Sequence, residues 1–158
     1  MIINENLKNK TLCKIRTITS FISLDKDKST WEEKIKEASL FGGDLAKEFN
    51  LNGYEVQSIR IVTNAFGEYL DTSSLKTAIA DMEILSQVLQ SDVMPDIRIR
   101  FAIGEAKTSK EIEMLPTLVQ KFGDLCNVCV NVGVDDFGIP DASKTLECAK
   151  VVKEIAET

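Results

Sequence analysis

The chain has 158 residues, of which 44% are hydrophobic and 28% are charged, a length suited to one domain with its own core and short for two. Its formal charge of −6 disfavours partners that present phosphate backbones or anionic lipid. Because the chain has no histidine, Ser-His-Asp and Cys-His catalytic systems and the usual zinc sites that contain histidine are excluded.

Strands and helices are predicted to alternate along the chain. Runs of β-branched and aromatic residues with period-two alternation predict four strands, at about 14–24, 55–63, 97–103 and 125–134. Apolar residues at helical spacing predict four helices, at about 30–51, 74–89, 109–122 and 140–155. The βαβαβαβα order predicts an α/β fold with a mainly parallel four-stranded sheet.

The helix starts carry capping signals. Ser29 and Thr30 each precede a glutamate by three residues, Ser73 or Ser74 can cap the second helix, and Thr108 with Glu111 forms a further capping box. Pro116 is expected to kink or divide the third helix.

The polar segment 1–12 is predicted to be a flexible terminus, and 13–158 a single α/β domain. The first residues lack the apolar core of a signal peptide, and no later stretch approaches the roughly 18 apolar residues of a spanning helix. We therefore expect a cytoplasmic protein with no membrane or nucleic-acid partner.

Two cysteines in the fourth strand have the CxxC spacing of a zinc or redox motif. Side chains three apart in a strand point to opposite faces, so Cys126 and Cys129 are interpreted as small buried residues rather than as a functional pair. Cys13 and Cys148 have no partner suggested by spacing and are also expected to be buried.

Polar residues follow the predicted strands at their carboxyl ends, where ligands collect in open α/β sheets. Asn131, Asp135 and Asp136 follow the fourth strand, and Glu105 ends the third. The two adjacent acids can bind a hard cation, orient a ligand hydroxyl or cap the next helix, and all three readings stay open.

An arginine inside an apolar strand is costly unless its charge is paired. Arg60 stands in the sequence IRIVT, and Arg16 in KIRTIT poses the same question. Two explanations stay open for Arg60: an ion pair with Glu105 or Asp135, and a bound carboxylate or phosphate. Thr63 and Asn64, which follow in the same strand, are further candidate ligand-binding residues.

Short motifs in a fixed order resemble a known family. They are KIRTIT followed by ISL, then GYEVQSIRIVTNAF, FAIGEA and NVGVDDFGI, and they extend over about 14–156. In this order they resemble the domain of unknown function 711 family, whose bacterial members are often labelled PFL family proteins. The resemblance implies an α/β barrel related to the scaffold of pyruvate formate-lyase and other glycyl radical enzymes.

Members of that family are usually much longer, so the resemblance implies that this chain corresponds to the opening part of one. It is then either a fragment or a half that associates with a second copy or a partner chain. The family supplies no catalytic residues to carry over, and fold analogy does not give function.

The sequence therefore leaves two functional hypotheses open. The first is an enzyme or enzyme subunit that acts on a small anionic metabolite, with Arg16 and Arg60 binding the anion and Glu105, Asp135 or Asp136 handling protons or a metal. The second is a non-catalytic ligand-binding module, or a structural half-barrel that works by self-association or with a partner chain, because an incomplete barrel exposes strand edges. The sequence names no cofactor.

Overall fold

The computed structural model of the protein describes residues 13–91 and 94–157, and the predicted terminal segment 1–12 lies outside them. The four strands are β1 (Ile18–Phe21), β2 (Ile59–Val62), β3 (Ile99–Ala106) and β4 (Asn127–Val130). The four α-helices are α1 (Trp31–Leu51), α2 (Leu75–Leu89), α3 (Ser109–Phe122) and α4 (Ala142–Glu157). The predicted alternation of strands and helices is confirmed.

The strands form one sheet in the order β1-β2-β3-β4, and all neighbouring pairs are parallel. Thr19 of β1 lies opposite Arg60 of β2, and Arg60 lies opposite Arg100 of β3. A register shift between Ala102 and Gly104 marks a bulge where β3 meets β4. The predicted parallel four-stranded sheet is confirmed.

One face of the sheet packs against the helices and carries the core. Ile59, Ile61, Phe101 and Ile103 of the central strands are buried, whereas the alternate residues are more exposed. Each helix contacts the next one along the chain. All four helices therefore lie on one face, and no helix of the described part covers the other. We call this second face the bare face.

Local sequence explains where three of the helices begin. Ser74 with Thr77, and Thr108 with Glu111, form complete capping boxes at α2 and α3. The Asp141 carboxylate accepts the backbone N–H of Lys144 at the start of α4.

The start of α1 and the interior of α3 differ from expectation. A 3₁₀ turn (Lys28–Thr30), capped by Asp27, precedes α1, and Thr30 makes no side-chain cap. Pro116 lies inside a continuous α3, so it does not divide the helix.

Strands β1, β2 and β4 are shorter than the sequence patterns suggested, whereas β3 starts two residues later than predicted and continues three residues further, to Ala106. Before β1 only an isolated bridge joins Ile15 to Val56, and beyond β4 Val134 pairs with Pro140 in an antiparallel bridge. Alternation predicts where an extended chain is feasible, but a strand ends where its partner's backbone departs. None of the described helices is both long and apolar enough to cross a membrane.

The cysteines follow the predictions only in part. Cys126 is buried, and Cys129, on the other face, is exposed, so the two do not meet, as expected. The expectation that Cys129 and Cys13 are buried is wrong, because β4 is an edge strand of the described sheet and Cys13 precedes the first bridge. Cys148 is half-buried.

Candidate functional site

The chain contains four arginines, and all of them line one small cavity. The cavity has a volume of about 110 Å³, and no acidic side chain is among its described lining residues. Its lining consists of Arg16, Thr17, Gln57, Ser58, Arg60, Arg98 and Arg100. We call it the arginine cavity. In a chain with a net charge of −6, such a concentration of positive charge indicates a site for an anion.

Strand register brings the central arginines together. Arg60 is the second residue of β2 and Arg100 the second of β3, and the two lie directly opposite each other. Both alternate with buried core residues, so their side chains leave the sheet on the bare face. The parallel sheet therefore places two guanidinium groups side by side at its amino-terminal edge.

This proximity is unfavourable without a counter-charge. Neighbouring strands lie about 4.8 Å apart. Two unit charges that keep this spacing repel by roughly 1 kcal/mol in water and roughly 3 kcal/mol near a protein surface. No described carboxylate forms an ion pair with Arg60 or Arg100. An anion between the two guanidinium groups would remove the repulsion.

The cavity lining also contains buried polar atoms that have no hydrogen-bond partner among the described residues. Among the described residues, four buried side-chain polar atoms lack a hydrogen-bond partner, and three of them belong to the cavity lining. These are Thr17 Oγ1, Arg60 Nε and Arg100 Nε. A buried polar group without a partner costs about 1–3 kcal/mol. One acceptor placed among these atoms would satisfy donors from three neighbouring strand segments.

Other cavity residues are held in place by the backbone. The Ser58 hydroxyl donates to the carbonyl oxygen of Arg16 at 2.9 Å, and the N–H of Ile59 donates to the carbonyl of Arg98 at 3.0 Å. These bonds tie the segments that enter β1, β2 and β3 to one another. The arginine side chains therefore project from backbone segments that are held together by hydrogen bonds.

The structure separates the predicted site residues into two groups. Arg16 and Arg60 lie at the amino-terminal edge of the sheet, whereas Thr63, Asn64, Glu105, Asn131, Asp135 and Asp136 lie towards or beyond the carboxyl ends. Glu105 lies five residues after Arg100, about 16 Å along β3. The structure contains no ion pair between Arg60 and Glu105 or Asp135, so the first explanation for Arg60 receives no support.

Thr63 and Asn64 use their polar groups inside the fold. Thr63 Oγ1 lies 3.0 Å from the Tyr69 hydroxyl, which in turn donates to the carbonyl of Ile103. The Asn64 amide oxygen accepts the N–H of Leu24 at 2.9 Å, and its amide nitrogen donates to Glu68 Oε2 at 2.8 Å. Both residues therefore join loops to strands.

The acidic loop after β4 has a structural explanation for one of its two acids. Asp135 Oδ1 accepts the backbone N–H groups of Phe137 and Ile139, each at 2.9 Å, which closes the loop on itself. Asp136 and Asn131 are exposed. Among the described residues no three Asp, Glu or Cys side chains come together as metal ligands.

Glu105 and Cys129 form a separate pair on the bare face. The bulge between Ala102 and Gly104 shifts the alternation of β3 by one residue, so Glu105 lies on the same face as Arg100. Glu105 and Cys129 are partners in the β3–β4 register, and partial burial together with the Glu105 charge raises the pKa of the Cys129 thiol. A raised pKa disfavours the thiolate, so this cysteine is not activated as a nucleophile.

Sequence reasoning missed Arg98 and Arg100 as site residues, and it did not connect Thr17 with the arginines. The alternation of β3 did place Arg98 and Arg100 on the side away from the core. It did not show that β2 and β1 bring Arg60 and Thr17 to the same place, because that depends on register. In the sequence, Arg16, Arg98 and Arg100 stand near the starts of predicted strands, whereas Arg60 is the sixth residue of the predicted strand 55–63, so strand position alone did not group the four arginines.

The chain matches a family model described as Uncharacterised ACR (DUF711) over residues 6–158. It therefore belongs to the domain of unknown function 711 family, as the order of its motifs predicted. No curated protein matches the chain. The role of each residue is therefore inferred from the contacts, burial and charge around it.

Proposed function

We propose that this member of the domain of unknown function 711 family binds a small anionic metabolite in the arginine cavity, as an enzyme, an enzyme subunit or a ligand-binding module. The observation that carries the proposal is the convergence of all four arginines on one cavity whose described lining contains no carboxylate. The unpartnered buried atoms of Thr17, Arg60 and Arg100 support it.

The position of the ligand differs from the one expected from the sequence. The carboxyl-end residues Asp135, Asp136 and Glu105 remain candidate catalytic groups only for a ligand long enough to reach them. Glu105 is the nearest of them by strand order, on the same face as Arg100 and about 16 Å along β3. Binding is therefore the function that the geometry supports best.

Thermal unfolding in a panel of anions at equal ionic strength tests the proposal. We expect phosphate, sulfate or malonate to raise the melting temperature above that in chloride, since a ligand at 100 times its Kd stabilises by about 2.7 kcal/mol. Kosmotropic anions also stabilise proteins without a site. The control is therefore the double variant Arg60→Gln/Arg100→Gln, which must lose the extra shift. Equal shifts in both proteins would refute anion binding here.

A second candidate function is assembly through the sheet. Its edge strands β1 and β4 have no further partner in the described part of the chain, and each borders an apolar cavity. At the β1 edge, Phe21 is 79% exposed and Phe41 is 64% exposed. A second copy can pair with these exposed edges, with β4 of one copy next to β1 of the other. The helices would then lie outside a closed parallel sheet, as in an α/β barrel.

Sedimentation velocity over a range of protein concentrations tests the assembly. We expect a concentration-dependent dimer that is weakened by Phe41→Ser together with Val152→Ser, which alter one exposed apolar residue beside each edge. A monomer at all concentrations would refute self-association.

A further inference from the structure

The arginine cavity has features that select among anions, and the following inference rests on the proposed function. We infer that the cavity binds the phosphoryl group of a small phosphate monoester, and that the organic part of this ligand lies on the bare face over Phe21, Val62 and Ala102.

The donors favour a phosphoryl group over a carboxylate. Thr17 belongs to the segment before β1, Arg60 to β2 and Arg100 to β3, so the donors approach from three neighbouring segments. A carboxylate offers two oxygens in one plane, whereas a phosphoryl group offers three acceptor oxygens arranged around phosphorus. Guanidinium groups bind carboxylates and phosphates alike in a bidentate manner, so the preference rests on the number and arrangement of the acceptor oxygens.

The charge of the site gives the same preference. Arg60 and Arg100 face each other across the cavity, and neither forms an ion pair with a described carboxylate. A phosphate monoester carries a charge close to −2 at neutral pH, whereas a monocarboxylate carries −1. The dianion offsets more of the repulsion between Arg60 and Arg100.

The size of the cavity limits what it can enclose. Its volume of about 110 Å³ is well below the roughly 300–1,000 Å³ of sites that enclose a whole drug-sized ligand. The cavity therefore holds one anionic group, and the remainder of a larger ligand must lie outside it.

The bare face offers an apolar surface next to the cavity. Phe21, Val62 and Ala102 lie opposite one another in the register, two residues beyond the row that contains Arg60 and Arg100. Two residues along a strand correspond to about 7 Å, which is within reach of a small organic group attached to the phosphate. Phe21 is 79% exposed, so its ring is accessible to an organic group that lies on this face.

Calorimetric titration of the full chain with inorganic phosphate, phenyl phosphate and malonate tests the inference. We expect both phosphates to bind more tightly than malonate, and phenyl phosphate to bind more tightly than inorganic phosphate. Arg60→Gln is expected to weaken both phosphates by about tenfold or more, with Arg60→Lys in between because it keeps the charge but not the planar fork. Lys76→Gln, an exposed change on α2, is the control for net charge and should leave all affinities unchanged.

Phe21→Ser separates the two parts of the inference. It should remove the advantage of phenyl phosphate and leave the affinity for inorganic phosphate unchanged, and the exposure of Phe21 makes unfolding by this variant unexpected. Equal affinity of the wild-type protein for both phosphates would overturn the organic subsite and indicate free phosphate as the ligand. Tighter binding of malonate would overturn the phosphoryl assignment while leaving anion binding intact. Failure of all three anions to bind would refute the proposed function itself.

Discussion

Neutralising Arg100 should stabilise the protein when no multivalent anion is present. Arg100 lies directly opposite Arg60 in the parallel register, and its buried Nε has no partner. At a separation of about 5 Å, removal of the repulsion gives roughly 1–3 kcal/mol, depending on how far water screens the pair. Arg100→Gln should therefore raise the free energy of unfolding by about 1–3 kcal/mol, and the melting temperature by about 2–4 °C per kcal/mol for a chain of this size.

Urea denaturation at low ionic strength, with chloride as the only anion, is the appropriate assay, since salt screens the repulsion. The same titration is then repeated with phosphate. There the advantage of the variant should shrink by about 1.4 kcal/mol or more, because phosphate is expected to bind the wild-type protein about tenfold or more tightly than the variant. A smaller stability difference in phosphate than in chloride is the diagnostic result.

Lys76→Gln provides the matched control, because it removes one positive charge from an exposed position of α2. Its stability should change by less than about 0.5 kcal/mol in both buffers. If Arg100→Gln were less stable than the wild-type protein in both buffers, the arginine would contribute through packing of its aliphatic stem, and the reasoning from like charges would be refuted.

Three further predictions concern the fold. Gly104→Ala should lower the free energy of unfolding, measured by urea denaturation, by about 3 kcal/mol or more, because Gly104 has a φ of +86° and an added Cβ would lie 2.0 Å from a backbone oxygen of the segment after β2. Gly133→Ala is the control: its added Cβ would meet no atom within 4 Å, so the free energy of unfolding should change little. Burial raises the pKa of the Tyr69 hydroxyl and raises that of the Cys126 thiol to about 12, so both stay neutral in the fold. In the unfolded chain the thiol and the hydroxyl ionise near their ordinary pKa values of 9.0 and 10.0. The free energy of unfolding should therefore be independent of these two groups below about pH 8.5 and fall as the pH rises through 9 and 10. Urea midpoints that stay constant to about pH 10.5 would contradict this. For the same reason Cys126 should resist a thiol reagent at pH 8 in the native protein while the exposed Cys13 reacts, which mass spectrometry of the labelled peptides would show.

The helices could be predicted closely from the sequence because the information that specifies them is local. Thr108 and Glu111 lie three residues apart, so one turn of chain contains the whole capping box, and the observed α3 starts where that pair predicts. The ends of the strands could not be predicted in this way. β4 ends at Val130 although the alternation continues to Val134, because the following chain folds back to pair with Pro140.

The site was harder to predict because it depends on register between strands distant in sequence. A shift of one residue between β2 and β3 would place Arg100 opposite Ile59 or Ile61 and separate it from Arg60. Ligands in open parallel sheets generally bind at the carboxyl ends of the strands, so the sequence-based prediction placed the site at the opposite edge of the sheet. There the polar residues close loops, as Asp135 does, so residue type alone did not distinguish a ligand site from a turn.

The two proposed functions are coupled, because the arginine cavity opens on the face that assembly of the sheet into a barrel would enclose. A second copy that pairs with β1 and β4 would bring two clusters of guanidinium groups towards one interior, and their repulsion would oppose the dimer unless anions occupy the cavities. By linkage, an anion that favours the dimer must bind more tightly to the dimer than to the monomer. Sedimentation velocity with and without phosphate should therefore show a tighter dimer in phosphate for the wild-type protein and no such effect for Arg60→Gln. A phosphate effect of the same size in both proteins would indicate general salting-out and would separate the arginine cavity from assembly.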